Sequence, residues 1–529
     1  MKNTAPASDK LLIALIHLNV RHGQNARNRE NIVRLAQQAA ERGAKIAVAP
    51  EMGLSGYSYP NREAIAARVE TRDGPSAKAF AKAAKEFKIY LVTAFAERDE
   101  PSGLFYNSAF VHDPRGELVC HYRKINAESR WATPGLTRQN NVFSTPWGKM
   151  GLLICSDSYH SLPSRVTALK GARLLFLPSN WPPSQQFPED IWRFRAMENG
   201  LWCVPVNRTG HDGRDNDFDC QSAASYVFDP QGHEQLKVVS PSSELALFEI
   251  RLDSQGEIVG RERQRAILRS RRPQDYYRLA ANLLLFEDIT ESFRLPKPAP
   301  IDVYFVAPGE NQNPLPFLEK RLSRVLPRTL IVLPLHDYRP DDWQWLGNAC
   351  RERKLRAIAA TETEGRRTHV VFNETDAPVS VPPDSREPLL FLGPLAIHLT
   401  TLAGLRHPEV GLSAAKWGAD LLLALERECL PDDPFVVSLR PIDQLAAAFC
   451  AGNGAALGLI PEGHFPGRGF STPARGAFSY CLNPERLRKK KFQDRVDYAT
   501  LFGGGDVDPS LALPPEKEKR EKKRGQSPA

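Results

Sequence analysis

From Leu11 to Ile250 the chain alternates apolar runs of strand length with segments of helical period, a pattern that points to a layered α/β fold. Leu11 to Asn19 reads as a strand, and Asn28 to Arg42 as a helix with Ile32, Leu35 and Ala39 along one face. Ala44 to Pro50, Tyr90 to Glu97 and Asn107 to His112 follow as strands, with helices expected at Glu63 to Val69 and Ser76 to Phe87. Lys149 to Ile154 reads as a buried strand. Beyond it come a helix from about Ser164 to Lys170, a strand Leu174 to Pro178, a helix Asp190 to Asn199 and a strand Trp202 to Asn207. Ser222 to Phe228 and Leu245 to Ile250 complete a unit expected to close near Tyr277.

The second half repeats this order. Ile301 to Ala307 reads as a strand, Phe317 to Val325 as a helix, and Thr329 to Pro334 matches the run that ends at Pro50. Lys416-Trp-Gly-Ala-Asp-Leu-Leu-Leu423 matches Lys170-Gly-Ala-Arg-Leu-Leu-Phe176, and Asn453-Gly-Ala-Ala-Leu-Gly-Leu-Ile460 matches Asn199-Gly-Leu-Trp-Cys-Val-Pro-Val206. Three matches in one order indicate an internal repeat. Carried across it, Glu51 falls on Leu335 and Cys155 on Leu402, so the copy has lost both groups. The expected division is residues 1–277, a linker 278–299, the copy at 300–500 and a disordered basic tail at 501–529, whose alternating charges leave nothing to bury.

A chain of 529 residues exceeds one ordinary core, which agrees with two units. Much of its net charge of +8 lies in Arg486 to Lys491 and Lys517 to Arg524. Such late runs read as a solvated face and tail, so no nucleic-acid partner is expected. Eight cysteines without a CxxC pair favour a reducing compartment. With no apolar stretch of spanning length, the expected location is cytoplasmic, with no membrane partner. Histidines 112, 121, 160 and 211 do not cluster as ligands, and neither a metal nor another cofactor is expected.

Three reactive groups stand at or near the ends of apolar runs: the carboxylate of Glu51, the ammonium of Lys124 and the thiol of Cys155. Strand ends are where α/β sheets gather reacting groups. A thiol of pKa about 8.5 is only a few per cent thiolate at neutral pH and needs a base, which Glu51 supplies. A fixed ammonium such as Lys124 stabilises the oxyanion formed when sulfur attacks a carbonyl.

The residues around these groups form longer motifs: Ala49-Pro-Glu51-Met-Gly-Leu-Ser-Gly-Tyr57, Tyr122-Arg-Lys124-Ile-Asn with Thr133-Pro-Gly135, and Gly151-Leu-Leu-Ile-Cys155-Ser-Asp157 with Ala168-Leu-Lys-Gly-Ala-Arg-Leu-Leu175. With Arg195-Ala-Met-Glu-Asn-Gly200 and Asn207-Arg-Thr-Gly210, they make the chain resemble the nitrilase superfamily, the carbon–nitrogen hydrolases, from about Leu11 to Tyr277. The resemblance implies an αββα sandwich in which Glu51, Lys124 and Cys155 are a catalytic triad. It also implies cleavage of a C–N bond through a thioester, giving acid plus ammonia or amine. Glu128 is the candidate for the family's second glutamate, and a surface pair with Arg130 is its competing reading.

Asp157 resembles the amidase-type Cys-x-Asp pattern, which favours an amide or carbamoyl substrate, although Pro163-Ser164 stands where the family usually has Pro-Glu. Tyr57, Ser156, Asp157, Tyr159, Asn180, Trp181 and Trp192 are candidates for substrate binding, with interface aromatics as the alternative for the rings. The same triad also serves a nitrile hydrolase or a soluble N-acyltransferase, and a catalytically weak scaffold is the non-enzymatic alternative. Family members associate through helical faces, so the copy is expected to act as an intrachain partner, and homo-oligomers through the same faces stay open.

Overall fold

The computed structural model describes residues 9–183, 188–212, 218–280, 288–308, 312–374, 377–382, 389–427, 440, 447–452, 455–459, 469–474, 476–489 and 495–511. These residues form two compact units, one from 9–273 with 495–511 and the other from 274–489.

The strands of the first unit are β1 (Lys10–His17), β2 (Ile46–Val48), β3 (Tyr90–Arg98), β4 (Phe105–His112), β5 (Leu118–Arg123), β6 (Val142–Thr145), β7 (Gly148–Leu152), β8 (Leu174–Pro178), β9 (Trp202–Val206), β10 (His211–Asp212), β11 (Phe218–Asp219), β12 (Ser225–Phe228), β13 (Glu234–Val238) and β14 (Glu244–Arg251). One sheet runs β14-β1-β2-β3-β4-β5, parallel through β1-β2-β3 and antiparallel elsewhere. The other runs β6-β7-β8-β9-β12-β13, parallel through β7-β8-β9.

Helices α1 (Asn25–Glu41), α2 (Arg62–Ile65), α3 (Pro75–Phe87), α4 (Ser161–Leu169), α5 (Pro188–Asn199) and α6 (Arg261–Arg269) complete the unit. In α1 the buried residues Asn28, Ile32, Leu35, Ala36 and Ala39 recur at helical spacing. That stripe and Phe80 of α3 pack on Ala14 and Ile16 of β1, one face of the first sheet. Rings from β3 and β6, Tyr90 and Phe143, meet across the other face at 6.3 Å. Two sheets face to face with helices outside form an αββα arrangement.

The second unit has β15 (Ile301–Ala307), β16 (Leu330–Leu335), β17 (Arg356–Thr363), β18 (Arg366–Phe372), β19 (Val379–Val381), β20 (Leu390–Leu392), β21 (Leu395–Thr400), β22 (Leu421–Leu425), β23 (Ala447–Gly452), β24 (Ala455–Leu459), β25 (Gly469–Ala474) and β26 (Gly476–Leu482). Its sheets, β26-β15-β16-β17-β18-β19 and β20-β21-β22-β23-β24-β25, repeat the strand order and the parallel or antiparallel sense of the first unit's sheets at each pairing. Phe305, Val332 and Ile358 of one sheet share a core with Ile397, Leu421 and Leu423 of the other. Helices α7 (Ile289–Ser292), α8 (Pro314–Glu319), α9 (Pro340–Arg353), α10 (Leu402–Leu405) and α11 (Pro408–Lys416) lie in this unit.

Several sequence expectations need correction. The segment Asn453 to Ile460 is not the counterpart of Asn199 to Val206. The strand placed like β9, parallel to β22, is Ala447–Gly452, while Ala455–Leu459 runs antiparallel beside it. Residues 453, 454 and 460 lie outside the described residues. The helix expected at Glu63 to Val69 stops after Ile65, and that at Phe317 to Val325 is Pro314–Glu319 followed by a single tight turn.

The described residues of the expected linker, 278–280 and 288–299, fold with the second unit, where Leu279 and Leu295 supply buried apolar anchors. Residues 501–511 of the expected tail are folded on the first unit. Leu501 and Leu511 are buried, and Asp508 finds basic partners. The rest of the tail, 512–529, lies outside the described residues. Among the described residues no helix is long and apolar enough to cross a membrane.

Candidate active site

Glu51, Lys124 and Cys155 stand just beyond β2, β5 and β7. Glu51 and Lys124 are almost wholly buried. Glu51 Oε1 accepts from Lys124 Nζ at 2.5 Å and from Asn107 Nδ2 at 2.7 Å. Its Oε2 has no hydrogen-bond partner among the described residues. Burial works to lower the pKa of the Lys124 ammonium, yet the adjacent Glu51 carboxylate holds it well above the ordinary lysine value. Burial, and then the charge of Glu51, push the Cys155 thiol up, while Lys124 and the Asn180 backbone N–H, a hydrogen-bond donor to the sulfur, oppose them. The balance of these influences favours the thiol form of Cys155.

The backbone around these groups is strained. Cys155 has φ +43° and Met52, directly after Glu51, has φ +52°. For residues with a Cβ this left-handed region costs about 1–2 kcal/mol, and such strain collects at functional sites. The turn Cys155–Tyr159 is held by Asp157, which is buried and accepts from Tyr122 Oη at 2.8 Å, Asn126 N–H at 2.8 Å and Ile154 N–H at 3.3 Å. Ser156 Oγ donates to Asn126 C=O at 3.1 Å, and Ser158 Oγ to Cys155 C=O at 2.6 Å. These bonds tie the loop after Lys124 to the nucleophile turn. Asp157 and Ser156, expected to bind substrate, are engaged in that latch, because a buried carboxylate must be satisfied locally.

Tyr57 is half-buried, with Lys124 Nζ 5.8 Å from its ring centre and Phe218 of β11 stacked on it at 5.0 Å. Its Oη donates to Glu128 Oε2 at 3.4 Å. Glu128 also pairs with Arg130 at 3.0 Å. Its carboxyl, which burial would raise, is held below the usual range chiefly by Arg130, with Lys124 a lesser influence. Both readings of Glu128 thus have a contact behind them.

Asn180 is buried, with its Oδ1 receiving the Cys220 thiol at 3.7 Å and its Nδ2 without a partner among the described residues. Tyr159 lies 6.4 Å from Trp181, which meets Trp192 edge-on at 5.8 Å. Trp192 is fully buried against Tyr226 as well, so it supports the pocket wall from behind.

Sequence reasoning missed two supports. Asn107, beside Ser108 on β4, is a buried polar residue inside an apolar run, a signal that each needs a partner. Arg208 and Asp212 form a fully buried ion pair at 2.6 Å, and Asp212 accepts from the N–H groups of Tyr57 at 2.6 Å and Ser58 at 3.1 Å. Gly56 makes this approach possible, since a Cβ there would lie 2.9 Å from His22 and 3.0 Å from Asp212. Among the described residues no group of His, Cys, Asp and Glu is arranged to hold a metal ion.

A family model described as carbon-nitrogen hydrolase matches residues 12–258. The nitrilase of Pyrococcus abyssi is 29% identical over 206 residues, 38% of this chain and 76% of that protein. Omega-amidase NIT2-B of Xenopus laevis is 31% identical over 232 residues, 41% of this chain and 77% of that protein. The crystal structure of carbon-nitrogen hydrolase from Helicobacter pylori G27 aligns at 24% identity with a TM-score of 0.44, over 51% of this chain and 97% of that one.

Proposed function

The chain belongs to the carbon–nitrogen hydrolase family, the nitrilase superfamily, and on that premise we propose that its first unit hydrolyses the C–N bond of a small amide or carbamoyl compound through a thioester on Cys155. The observation that carries this reading is the division of labour at Glu51: one oxygen is tied to Lys124 and Asn107, the other is unpartnered, and the carboxylate acts on the Cys155 thiol.

A thiol held up by burial does not attack as a preformed thiolate. Glu51 takes the Sγ proton as sulfur bonds to the carbonyl carbon. That transfer neutralises Glu51, so Lys124 loses its counter-charge as the oxyanion forms and can stabilise it, an electrostatic gain absent from the ground state. The C–N bond then breaks, the leaving nitrogen takes the proton from Glu51, and an acyl thioester remains. Glu51 next removes a proton from water, the hydroxyl adds to the thioester, and the C–S bond breaks to give acid and free thiol. Asn180 Nδ2 is a candidate donor to the substrate, and Tyr57 and Trp181 are candidate walls.

The second unit is, in this reading, a degenerate copy of the first. The repeated strand order and pairing sense support it. The pairing of Met150 with Leu174 and of Ile397 with Leu421 also sets Cys155 and Leu402 the same number of residues past equivalent pairs.

The test is ammonia release across amides, carbamoyl amines and nitriles, comparing the intact chain with Cys155→Ala, while mass spectrometry searches for an acyl adduct on Cys155. Release by the variant at the intact rate, or an adduct on another residue, overturns the reading.

A further inference from the structure

Residues 495–511 follow the second unit in sequence but fold with the first. Val496, Leu501 and Leu511 are buried there, and the short helix Tyr498–Leu501 lies against α4, the helix after the nucleophile turn. Asp508 N–H donates to Leu169 C=O at 2.9 Å, and its carboxylate pairs with Lys149 at 3.3 Å and Arg261 at 3.4 Å. Gly171 makes room for this contact. It has φ +98°, and a Cβ there would sit 2.3 Å from Asp508 Oδ2.

The second unit has a matching feature. Residues 277–280 and 288–295 follow α6 of the first unit in sequence but fold with the second. Lys416, which ends α11 as Leu169 ends α4, donates to Leu279 C=O at 2.7 Å. Gly418, the counterpart of Gly171, has φ +92°, and its Cβ would meet Leu295 at 2.5 Å, while Phe293 stacks on the neighbouring Trp417 at 5.1 Å. At the same turn of each unit, a glycine receives the segment that follows the other unit's strands.

We propose that these segments are exchanged arms, and that the arm 495–511 positions the catalytic nucleophile; the proposal rests on the reading of Cys155 given above. The route from arm to sulfur is short. Val496 and Asp497 line a small cavity together with Tyr122, Ile125 and Leu153. Tyr122 holds Asp157, Asp157 holds the Cys155 turn, and Leu153 lies two residues before the nucleophile. Removing the arm opens the rear of that latch to water. A catalytically empty second half is retained, on this view, because it delivers the arm.

The experiment compares the full chain with one ending at Leu511 and one ending at Asp494. Each is assayed for Cys155 alkylation by iodoacetamide, mapped by mass spectrometry, and for amide hydrolysis. The chain ending at Leu511 keeps the whole arm and should match the full chain within about twofold. The chain ending at Asp494 should alkylate at least about tenfold faster and lose at least about tenfold in kcat, as misplacement of a reacting group predicts. Excess synthetic peptide 495–511 should reverse both changes.

In the full chain, Gly171→Val should expel the arm, read as new tryptic cleavage between residues 495 and 511, with the same rise in alkylation. An unchanged alkylation rate in either arm-released protein overturns the proposal. Alkylation needs no substrate: if it responds to the arm while no amide is hydrolysed, the function reading fails and the arm's role stands.

Discussion

In the proposed duplication Glu51, just beyond β2, corresponds to Leu335, the last residue of β16, and what surrounds them differs. In the first unit the strand ends bury a carboxylate, an ammonium and a thiol, and Met52 and Cys155 hold left-handed backbone. In the second, neither His336 nor Leu402 has positive φ, and Leu402 opens the ordinary helix α10 behind a Thr401 cap. Register places Arg367 where Asn107 stands, since Ala96 pairs with Asn107 and Glu362 with Arg367 on corresponding strands. Arg367 pairs with Glu426 at 2.6 Å. Glu426 in turn accepts from Leu402 N–H at 2.8 Å, and its C=O accepts from Leu335 N–H at 3.2 Å. The second unit has thus stitched its strand ends shut. The lesson is that a sandwich does not need strain or buried charge at its strand ends to fold; in the function proposed above, the first unit keeps them for chemistry.

The sharpest way to break this comparison is to alter the paired positions. Glu51→Gln should lower kcat/KM by about 10²–10⁴, the usual weight of a general base. Its counterpart Leu335→Ala should leave kcat/KM nearly unchanged while costing about 2–5 kcal/mol of stability in the second unit. Loss of activity in Leu335→Ala well below its unfolding temperature would make the second unit part of the active site.

Rebuilding the lost groups is a further test. Leu335→Glu with Leu402→Cys should yield no second active site, read by titrating acyl adducts per chain. It should destabilise the second unit by about 3–5 kcal/mol, since a carboxylate is buried there without a matched cation. Two adducts per chain would show that strain and the missing lysine matter less than argued. The stretch after β19, where the counterpart of Lys124 falls, reads Pro382-Pro-Asp-Ser-Arg-Glu-Pro388 and contains no lysine.

Acid separates the units by a smaller margin. Burial lowers His17 and His112 of the first unit to about 4, and His369 of the second to about 4. An imidazole whose folded pKa lies below its unfolded value near 6.5 binds protons more readily when unfolded. Stability is therefore complete above about pH 6.5 and is lost as pH falls towards 4, by up to about 3 kcal/mol for each group. Among the described residues two groups fall that far in the first unit and one in the second, where His336 is lowered less far, so hydrogen exchange should accelerate more in the first unit than in the second between pH 6.5 and 4. Equal acceleration would show that other groups govern acid stability.

The smallest effect tests the latch. Tyr122→Phe removes one hydrogen bond to Asp157, worth about 1–2 kcal/mol, and should lower kcat with KM unchanged. A change in KM alone would move Asp157 back to the substrate.

Much of the layering was legible because β1, β3, β7 and β8 are apolar runs, and buried strands advertise themselves that way. β5 and β13 were missed because they alternate exposed and buried residues and carry charges, and α6 because only Gln264 and Leu268 of its nine residues are buried. The reactive trio was legible because each member interrupts or ends an apolar run. Asn107 and Asp212 were not, since each acts on a residue far away in sequence, a relation that local pattern does not carry. The repeat was visible where glycine and lysine mark a helix end, at Gly171 and Gly418. It slipped in register at Asn453, which in sequence lies between the antiparallel strands β23 and β24.

The docking of Leu501 and Leu511 on the first unit also sets a timetable. The catalytic half leaves the ribosome first, but its last structural piece is encoded beyond the entire second half. At about 5–20 residues per second, roughly 10–50 s separate residue 273 from residue 511. On the proposal made above, a nascent or prematurely terminated chain carries Cys155 without the arm, and full activity becomes a property of chains that reach residue 511.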